Sequence, residues 1–395
     1  MTNILIISEK WWPEGGGAEL ATYLITDMLS RHFKVTVITG SKLHKSLNGV
    51  RMFNTPLLIS HSKHELWIKT TLLANESWFK KLIKNTDIVY IPGFSFPVIS
   101  LAKRMGKKVI VHLHGYIPVS YTSLIPAPYE ENKNSIWKFN IWLEHRRGLV
   151  NLLLAGLSSY IMPRIARTWL EQADKVLCVS NRHAKIISEL APKLKNKIAV
   201  IYNPPPKDSL MINTNEISKE HKPTIAYNIS DIIKGYHIFL KVLLRSSDNT
   251  RFITFGSTIP ANIKNKEKNI LHYPRRLSHE EVIKIYMRSW AALSLSIVEE
   301  TFGYAVLDAG LATAIPIAFK VGGISEIIEG THAESFSVKP YDISSLLDKI
   351  EYISSMSPHQ VMDIGIKIRS ELLRKFDEKK IESSLIEIFN TILSE

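Results

Sequence analysis

Two carboxylates flank a glycine-marked helix start in the segment Val298-Glu-Glu-Thr-Phe-Gly-Tyr-Ala-Val-Leu-Asp-Ala-Gly310. The segment follows a predicted strand and opens a predicted helix, where backbone N–H groups and the helix dipole favour a phosphate. Glu300 would stand at the mouth of this helix, with Asp308 two turns further on. Carboxylates accept hydrogen bonds from vicinal sugar hydroxyls. The pattern therefore suits a sugar ligand that carries phosphate, and a plain strand–helix junction with surface acids is the alternative.

Strand ends in the first half of the chain carry further candidates. Gly15, Gly16 and Gly17 follow the first predicted strand and precede a helix, so their backbone can approach the phosphates of a bound ligand or a second substrate. They do not form a dinucleotide-binding fingerprint, because Leu20 occupies the place of its third glycine. Turn glycines are the alternative. His114 ends another predicted strand, where side chains face the ligand crevice of a parallel sheet, with a structural role as the alternative.

The sequence contains no Asp-x-Asp motif and no cluster of His, Asp or Glu with metal-ligand spacing. In a metal-free site, helix N-termini and basic side chains must balance the charge of a leaving phosphate. We therefore expect neither a metal requirement nor a cofactor.

Apolar runs and amphipathic helical patterns alternate along both halves of the chain, which predicts two doubly wound parallel sheets. The predicted strands are 3–8, 34–39, 88–91, 108–112, 175–179 and 199–202, then 224–227, 251–255, 270–272, 291–295 and 315–318. A polar, proline-marked stretch at 204–222 separates the two series and is predicted to be a linker. The domains would span 1–203 and 223–375, and a last helix at 376–395 would return to the first domain.

The composition is that of a folded globular protein. The chain has 395 residues, 45% hydrophobic and 22% charged, and single cores stop growing at about 250–300 residues. A formal net charge of +13 implies a phosphate-bearing substrate, an anionic membrane surface or nucleic acid, or simply a solvated lysine-rich surface. The single cysteine, Cys178, excludes an intrachain disulfide and favours the cytoplasm.

Residues 136–170 mix aromatic and basic side chains, among them Trp137, Trp142, Arg146 and Arg147. On a helix this mixture suits the inner, anionic face of a membrane. The equal alternative is a helix whose apolar side is core and whose cations are its wet face. Nucleic-acid binding is disfavoured, because no recognised motif accompanies the charge. No apolar run reaches the ~20 residues of a transmembrane helix.

The motifs beyond Asp308 extend the pattern. Pro316 follows, and then comes Val321-Gly-Gly-Ile-Ser-Glu326. This order of acid, Phe-Gly, acid, Pro and Gly-Gly-x-x-Glu resembles the family 4 retaining glycosyltransferases (glycosyl transferases group 1), with Ala314 where that family usually has glycine. The resemblance is strongest over 265–330. It implies the GT-B fold, in which two Rossmann-like parallel-sheet domains face each other across a cleft, the first on the acceptor side and the second on the donor side.

The resemblance also implies roles for single residues. Glu300 would contact the donor sugar, Asp308 would hold the ribose hydroxyls, and His114 would hydrogen-bond near the reacting carbon. Lys234, at a predicted helix start, would pair with the diphosphate, and a surface lysine is the alternative. The catalytic candidates are thus His114, Lys234 and Glu300, and the donor-binding candidates are Gly15, Gly16, Gly17, Arg276, Leu277, Phe302, Gly303, Tyr304 and Asp308.

One departure from the family pattern concerns the leaving group. The family usually has an arginine five residues before the lysine, where this chain has Ile229. Losing such a cation costs about 2–4 kcal/mol of transition-state stabilisation. Lys10 or Arg276 could replace it, or the leaving group differs, or the enzyme is weak.

These expectations combine into one prediction. The chain would be a metal-independent, retaining glycosyltransferase that moves a hexose-type sugar from a nucleotide diphosphate donor to a glycan or lipid-linked acceptor. It would be cytoplasmic, with a possible peripheral place on the membrane through residues 136–170. The alternative is a catalytically weak or silent nucleotide-sugar-binding module, and the missing arginine supports it. A nicotinamide dehydrogenase is excluded by the missing fingerprint.

Overall fold

The computed structural model describes residues 2–42, 46–258 and 269–395, so positions 265–268 of the stretch with the strongest resemblance lie outside it. The first half contains β1 (Asn3–Ser8), α1 (Gly17–Ser30), β2 (Lys34–Thr39), β3 (Arg51–Asn54), α2 (Lys63–Leu73), α3 (Ser77–Lys84), β4 (Ile88–Ile91), α4 (Pro97–Arg104), β5 (Lys108–Leu113), α5 (Tyr129–Asn132), α6 (Ile136–Arg147), α7 (Leu149–Leu170), β6 (Lys175–Cys178), α8 (Asn181–Leu190) and β7 (Ile198–Val200). The second half contains α9 (Lys207–Leu210), β8 (Thr224–Ile229), α10 (Tyr236–Arg245), β9 (Arg251–Gly256), β10 (Ile270–Tyr273), α11 (His279–Arg288), β11 (Ala291–Ser294), α12 (Tyr304–Leu311), β12 (Ile315–Ala318), α13 (Gly322–Ile328), α14 (Ile343–Ser354), α15 (Pro358–Lys375) and α16 (Glu378–Ser394).

The chain divides into two compact units. The first comprises the residues up to Ile125, Ser135–Pro204 and Glu378–Glu395, and the second comprises Pro126–Asn134 and Pro205–Asp377. The first unit is built on a seven-stranded sheet of order β3-β2-β1-β4-β5-β6-β7. All its paired strands are parallel, with Ile6 of β1 opposite Val37 and Tyr90. The central strand is buried on both faces, which is why it reads as a continuous apolar run.

The second unit contains a five-stranded parallel sheet of order β10-β9-β8-β11-β12. Ala226 of β8 lies opposite Ile253 of β9 and Ala292 of β11. Two parallel α/β sheets confirm the predicted fold class. The edge strand β3 was not expected, because its side chains are largely exposed and it lacks the apolar run of a buried strand.

Each sheet has one point where the strand order reverses. The strand β1 lies between β2 and β4, and the strand β8 lies between β9 and β11. Ligands of doubly wound sheets bind beyond the carboxyl ends of the strands at such a point. In the first unit this position lies beyond Ser8, and in the second it lies beyond Ile229 and Ser294.

The stretch expected to be a linker is incorporated in the second unit from Pro205 onward. It contains the short helix α9, and the Ser209 hydroxyl is buried against the side chain of Asp308. Lys219 is also buried, and its ammonium donates to the carbonyls of Ser289 and Thr313. Burial lowers the pKa of Lys219 to about 7. Polar residues in this stretch therefore serve as internal hydrogen-bonding partners, which a pattern search based on apolar spacing does not detect.

The helical region after residue 342 consists of three helices, α14, α15 and α16, and the last belongs to the first unit. The helix α15 begins with a capping box in which Ser357 and Gln360 exchange hydrogen bonds with each other's backbone. The helix α16 packs on α1. Arg31 lies 2.9 Å from Glu382, and the rings of Phe33 and Phe389 are 6.0 Å apart.

Candidate functional site

The second unit brings Lys234 and Glu300 together at the point where its strand order reverses. Lys234 ends a turn between β8 and α10, and Glu300 lies in the loop between β11 and α12. The ammonium Nζ of Lys234 is 2.5 Å from Oε1 of Glu300. Gly235 follows with a φ of +82°, and a Cβ there would lie 2.0 Å from the carbonyl oxygen of Leu295. Only glycine fits this turn, so the Lys-Gly order follows from the packing of the two loops.

The ion pair keeps Glu300 charged. Burial alone would raise the pKa of its carboxyl, but the Lys234 ammonium and the Ser296 hydroxyl lower that pKa below the usual value. Lys234 remains 42% exposed at its side chain. A positive charge that reaches solvent and a partly exposed carboxylate acceptor therefore stand side by side, which suits a phosphate next to a hydroxylated sugar.

The start of α12 supplies backbone donors close to this pair. The helix begins at Tyr304 after Gly303, and the ring of Phe302 is buried against Phe376 at a centroid distance of 5.6 Å. The first N–H groups of a helix have no partner within the helix. The predicted donor-binding positions Phe302, Gly303 and Tyr304 therefore lie where a helix N-terminus favours an anion.

The Gly-Gly pair of the predicted Gly-Gly-x-x-Glu motif supports the Glu300 loop. The N–H of Gly323 donates to the carbonyl of Glu300 at 2.7 Å. A Cβ on Gly322 would lie 1.9 Å from that same carbonyl oxygen, and φ there is +53°. The two glycines thus let α13 approach the loop closely and hold its backbone in place.

Glu299, next to Glu300, is a buried member of the site that sequence reasoning missed. One of its oxygens accepts from the N–H of Tyr129 and the other from the N–H of Gly322, each at 2.7 Å. Its side chain points to these two amides, and it ties the segment Pro126–Asn134 to the loop of the second unit. The sequence signals only two adjacent acids, and which one faces the pair with Lys234 depends on the fold.

Asp308, predicted to hold ribose hydroxyls, already has protein partners on both oxygens. Oδ1 accepts from the Ser209 hydroxyl at 2.7 Å, and Oδ2 lies 3.0 Å from Nε2 of His279. The other ring nitrogen of His279 is 3.1 Å from Asp208. Burial alone would lower the pKa of His279, yet its bonds to Asp308 and then to Asp208 raise that pKa to about 9. A ribose hydroxyl would therefore have to share an oxygen with these partners.

The structure also shows the position where the family usually has an arginine, and the loop whose arginine could replace it. Ile229 is 2% exposed at the end of β8, so this position belongs to the core. Arg276 is exposed, whereas Leu277 packs against the hydrophobic core of the second unit. The neighbouring Arg275 forms an ion pair with Glu281 at 2.5 Å. The loop of the predicted base contact thus presents Arg276 to solvent.

The N-terminus of α1, which follows the glycines of the first unit, is capped by a glutamate of the same helix. Gly16 is the residue before α1, and its N–H donates to Oε2 of Glu19 at 2.6 Å. This carboxylate stands at the N-terminus of α1, where an anionic ligand would otherwise bind. Gly15 and Gly17 flank this cap. The arrangement favours hydroxyl groups over phosphate at this loop.

His114 lies at the carboxyl end of β5, with its ring centroid 4.6 Å from that of His112. Burial lowers the pKa of His114 to about 4. His112 is buried below it, and its Nδ1 lies 2.7 Å from the Tyr90 hydroxyl. His114 is therefore neutral at pH 7, and His112 lies beside it, two residues earlier on strand β5.

A cavity of about 620 Å³ lies within the first unit. Its wall includes Glu9, Gly40 and Phe94, which follow the carboxyl ends of β1, β2 and β4. It therefore occupies the position beyond the strand ends where doubly wound sheets bind ligands. Lys63 and Arg147 also contribute to the wall. Sequence reasoning missed this cavity, because its lining comes from loops distant in the chain.

The predicted membrane-facing region folds as α6 and α7. Three leucines of α7, Leu149, Leu153 and Leu157, are exposed to 69%, 72% and 70%. Trp142 of α6 is also exposed, and the Arg146 guanidinium lies 5.6 Å from its ring centroid. We define this set of exposed apolar residues on α6 and α7 as the apolar stripe. The alternative prediction was that the apolar side chains of residues 136–170 are buried in the core. It is wrong for these residues, because they are exposed.

In the ranges 2–42, 46–258 and 269–395 no group of three or more His, Cys, Asp or Glu side chains is arranged to hold a metal ion. None of the helices in those ranges has the length and apolarity needed to cross a bilayer.

Comparisons with known proteins identify the family and the fold of the chain. The family model Glycosyltransferase Family 4 matches residues 15–205, and the model Glycosyl transferases group 1 matches residues 214–367. No curated protein matches the chain.

Solved structures match over the full length. HepE (Alr3699) from Anabaena, in complex with UDP-glucose, is 15% identical with a TM-score of 0.65, covering 99% of this chain and 100% of its own. Sucrose-phosphate synthase from Thermosynechococcus elongatus is 13% identical with a TM-score of 0.72, covering 100% of both chains. The catalytic domain of starch synthase IV from Arabidopsis thaliana, bound to ADP and acarbose, is 14% identical with a TM-score of 0.70, covering 100% and 99%. These matches confirm the predicted GT-B fold.

Proposed function

Since the chain belongs to the group 1 glycosyltransferases of the family 4 type and is a glycosyltransferase, we propose the following donor chemistry for it. The enzyme moves a hexose-type sugar from a nucleoside diphosphate donor to a glycan or lipid-linked acceptor, with retention of configuration and without a metal ion. HepE was solved with UDP-glucose and starch synthase IV with ADP. These relatives support a nucleoside diphosphate sugar as the donor.

One observation carries the proposal, namely the contact of Lys234 with Glu300 beside the start of α12. The ammonium and the N–H groups around Phe302 and Gly303 meet the charge of a diphosphate without a metal ion. The Glu300 carboxylate accepts hydroxyls of the transferred sugar. Lys234 leaves Glu300 for the phosphate when donor binds, because a diphosphate carries more charge than one carboxylate.

The reaction forms a bond between the acceptor hydroxyl oxygen and the anomeric carbon. At the same face the bond between that carbon and the β-phosphate oxygen breaks, and the nucleoside diphosphate leaves. The proton of the acceptor hydroxyl passes to the departing phosphate oxygen, so no protein base is needed. Neutral His114 hydrogen-bonds near the reacting carbon. Lys234 stabilises the leaving group, and Ile229 contributes no charge there.

We assign the protein to the cytoplasmic face of an anionic membrane as part of the same proposal. The apolar stripe supports it, since Leu149, Leu153 and Leu157 are exposed and lie beside exposed cations such as Arg146. The 136–170 sequence has five Lys or Arg residues and a single carboxylate, Glu144. A surface that combines exposed apolar side chains with several cations and few acids suits the headgroup region of an anionic bilayer.

A silent binding module is the second candidate, because Ile229 removes one expected cation. Thermal unfolding with UDP, ADP or GDP, followed by assays of UDP-glucose, ADP-glucose and GDP-mannose hydrolysis, separates the two. An enzyme gains about 2.7 kcal/mol of stability at a ligand concentration of 100 times Kd, and it also hydrolyses one donor. A module gains the stability with no turnover. If no nucleotide stabilises the protein, the donor proposal is wrong.

A further inference from the structure

A histidine of a neighbouring helix contacts the loop that carries His114. His183 lies in the first turn of α8, and its side chain is fully buried. The helix α8 follows β6, and β6 pairs with β5 so that Leu113 lies opposite Cys178. The loop after β5 and the first turn of α8 therefore lie at the carboxyl edge of the same sheet, which is the edge where doubly wound sheets bind ligands.

Two hydrogen bonds indicate which nitrogen of the His183 ring carries the hydrogen. The N–H of Val179 donates to Nδ1 at 3.4 Å, so Nδ1 is the acceptor of the ring. Nε2 lies 3.2 Å from the carbonyl oxygen of Gly115, which can only accept. Nε2 therefore carries the hydrogen and donates it to Gly115, and the ring is neutral. Burial acts in the same direction, because it lowers the pKa of His183 to about 3.

The contact with His183 restrains a tightly packed loop. Gly115 directly follows His114, so the hydrogen bond to its carbonyl holds the backbone next to that side chain. The N–H of Tyr116 donates to the carbonyl of Ser123 at 3.0 Å, which closes the loop on itself. The ring of Tyr116 packs edge-on against His183, with the ring centroids 4.8 Å apart. A Cβ on Gly115 would lie only 3.2 Å from Cβ of Ser123. His183 thus holds the loop through a hydrogen bond and through a ring contact.

The neutral state of His183 matters for the site beside it. In glycosyl transfer, positive charge develops at the anomeric carbon in the transition state. A second cation at this place would oppose that charge, whereas a neutral imidazole does not. Orientation matters as well, because a displacement of about 1 Å in an active site can cost roughly 100-fold in rate. A buried, neutral donor that holds the backbone beside His114 meets both requirements.

From these contacts we propose that His183 is a positioning residue for glycosyl transfer, which holds His114 in its working orientation through the carbonyl of Gly115. The inference rests on the proposed function, in which His114 hydrogen-bonds near the reacting carbon. Because His183 acts on the reacting centre and the nucleotide binds in the second unit, its loss lowers kcat and leaves nucleotide affinity unchanged. A purely structural role would instead affect stability, and would affect activity only as far as the protein unfolds.

The kinetic test uses two substitutions that separate the hydrogen bond from the ring. His183→Phe keeps a ring against Tyr116 and loses the donor, whereas His183→Gln loses the ring and keeps a side-chain N–H. The assay is hydrolysis of whichever donor wild type uses among UDP-glucose, ADP-glucose and GDP-mannose. His183→Phe should lower kcat by about 10–100-fold, and the Kd of the matching nucleoside diphosphate should change by less than about twofold. His183→Gln should recover most of the lost kcat.

The matched control is His32→Phe, which makes the same change in the same unit. His32 lies just before β2, at the amino edge of the sheet, and its variant should keep wild-type kcat. Wild-type kcat in His183→Phe, equal losses in His183→Phe and His183→Gln, or a parallel loss of nucleotide affinity overturns the inference. Wild type is assayed first. If it hydrolyses no donor, the proposed function fails together with the role of His183, whereas turnover that His183→Phe leaves intact overturns the role of His183 alone.

A second measurement does not depend on activity or on the folding of a variant. In wild-type protein labelled with nitrogen-15 in its histidine rings, the signals of His183 are those that disappear in His183→Gln. Long-range proton–nitrogen correlation spectra should show a hydrogen on Nε2 and none on Nδ1 between pH 8 and pH 5, because the pKa of the ring is about 3. A hydrogen on Nδ1, or a titration within this range, overturns the inference, since the donor to Gly115 would then not be as described.

Discussion

The points where the two sheets reverse their strand order have the same topology and opposite chemistry. Beyond β8 and β11, glycines let the neighbouring loops pack closely, and Lys234 stands beside Glu300 at a helix start. Beyond β1, the N-terminus of α1 is capped by Glu19, which belongs to that helix. An anion competes poorly with a bound carboxylate. The difference teaches that the N-terminus of a helix after a parallel strand is a weaker candidate phosphate site when a carboxylate of the same helix already caps it.

The largest effect should come from removing the cation of the second unit. Lys234→Ala should lower kcat for glycosyl transfer by about 10²–10³-fold, as expected for a group that stabilises a leaving diphosphate. Lys234→Arg should restore part of the loss, because the charge returns with a different geometry. Steady-state kinetics with the donor identified by thermal shift measures both variants. Lys284→Ala, an exposed lysine of α11 paired with Glu280, is the control and should retain wild-type kcat. Equal kcat values for Lys234→Ala and wild type would contradict the proposal that Lys234 stabilises the leaving diphosphate.

The ion pair of His279 should make the stability of the second unit depend on pH. Its folded pKa of about 9 lies above the ordinary value of about 6.5. Its stabilising effect is therefore complete below pH 6.5 and is lost as the pH rises through 9, a change of up to about 3 kcal/mol. Urea unfolding of wild type and His279→Gln across this range measures it. The gap between the two proteins should close at high pH, and a gap independent of pH would contradict the ion pair.

A smaller effect is expected from neutralising the acid partner of Lys234. Glu300→Gln keeps the shape and a hydrogen-bonding oxygen but loses the charge. We expect kcat/KM to fall about tenfold, or ~1.4 kcal/mol, the difference between a charged and a neutral hydrogen bond. Because the pKa of Glu300 is lowered, its carboxylate stays charged at mildly acidic pH. The wild-type enzyme should therefore remain active there. A wild-type profile that collapses between pH 7 and 5, and is flat in Glu300→Gln, would contradict that.

The smallest effect concerns the capped helix of the first unit. Glu19→Ala should cost about 1 kcal/mol of stability through loss of the cap, and nucleotide affinity should stay unchanged. Glu19→Gln should keep most of the stability, because its side-chain oxygen still accepts from Gly16. Chemical unfolding and nucleotide titration measure both. Tighter nucleotide binding in Glu19→Ala would mean that the first unit contains a phosphate site after all.

Sequence patterns were sufficient where the signal is local. Continuous apolar runs predicted β1, β4 and β12 at their observed bounds, because strands buried on both faces admit few polar residues. The strand β2 was also predicted at its observed bounds, although its sequence includes Lys34, Thr36 and Thr39. The order of Glu300, Phe302, Gly303 and the later Gly-Gly pair indicated a glycosyltransferase through its resemblance to the family 4 pattern, which is a local signal.

Tertiary structure decided the rest. Three features depend on segments far apart in the chain. The first is which acid of the Glu299–Glu300 pair faces Lys234, and the second is the hydrogen bonding of Asp308 to Ser209 and His279. The third is the cavity of the first unit. Such contacts depend on how the sheet and its loops pack, and short-range periodicity does not encode them. A carboxylate has the same letter in the sequence whether it accepts from its own backbone, from a lysine or from a sugar. Only its neighbours in space decide which of these partners it binds.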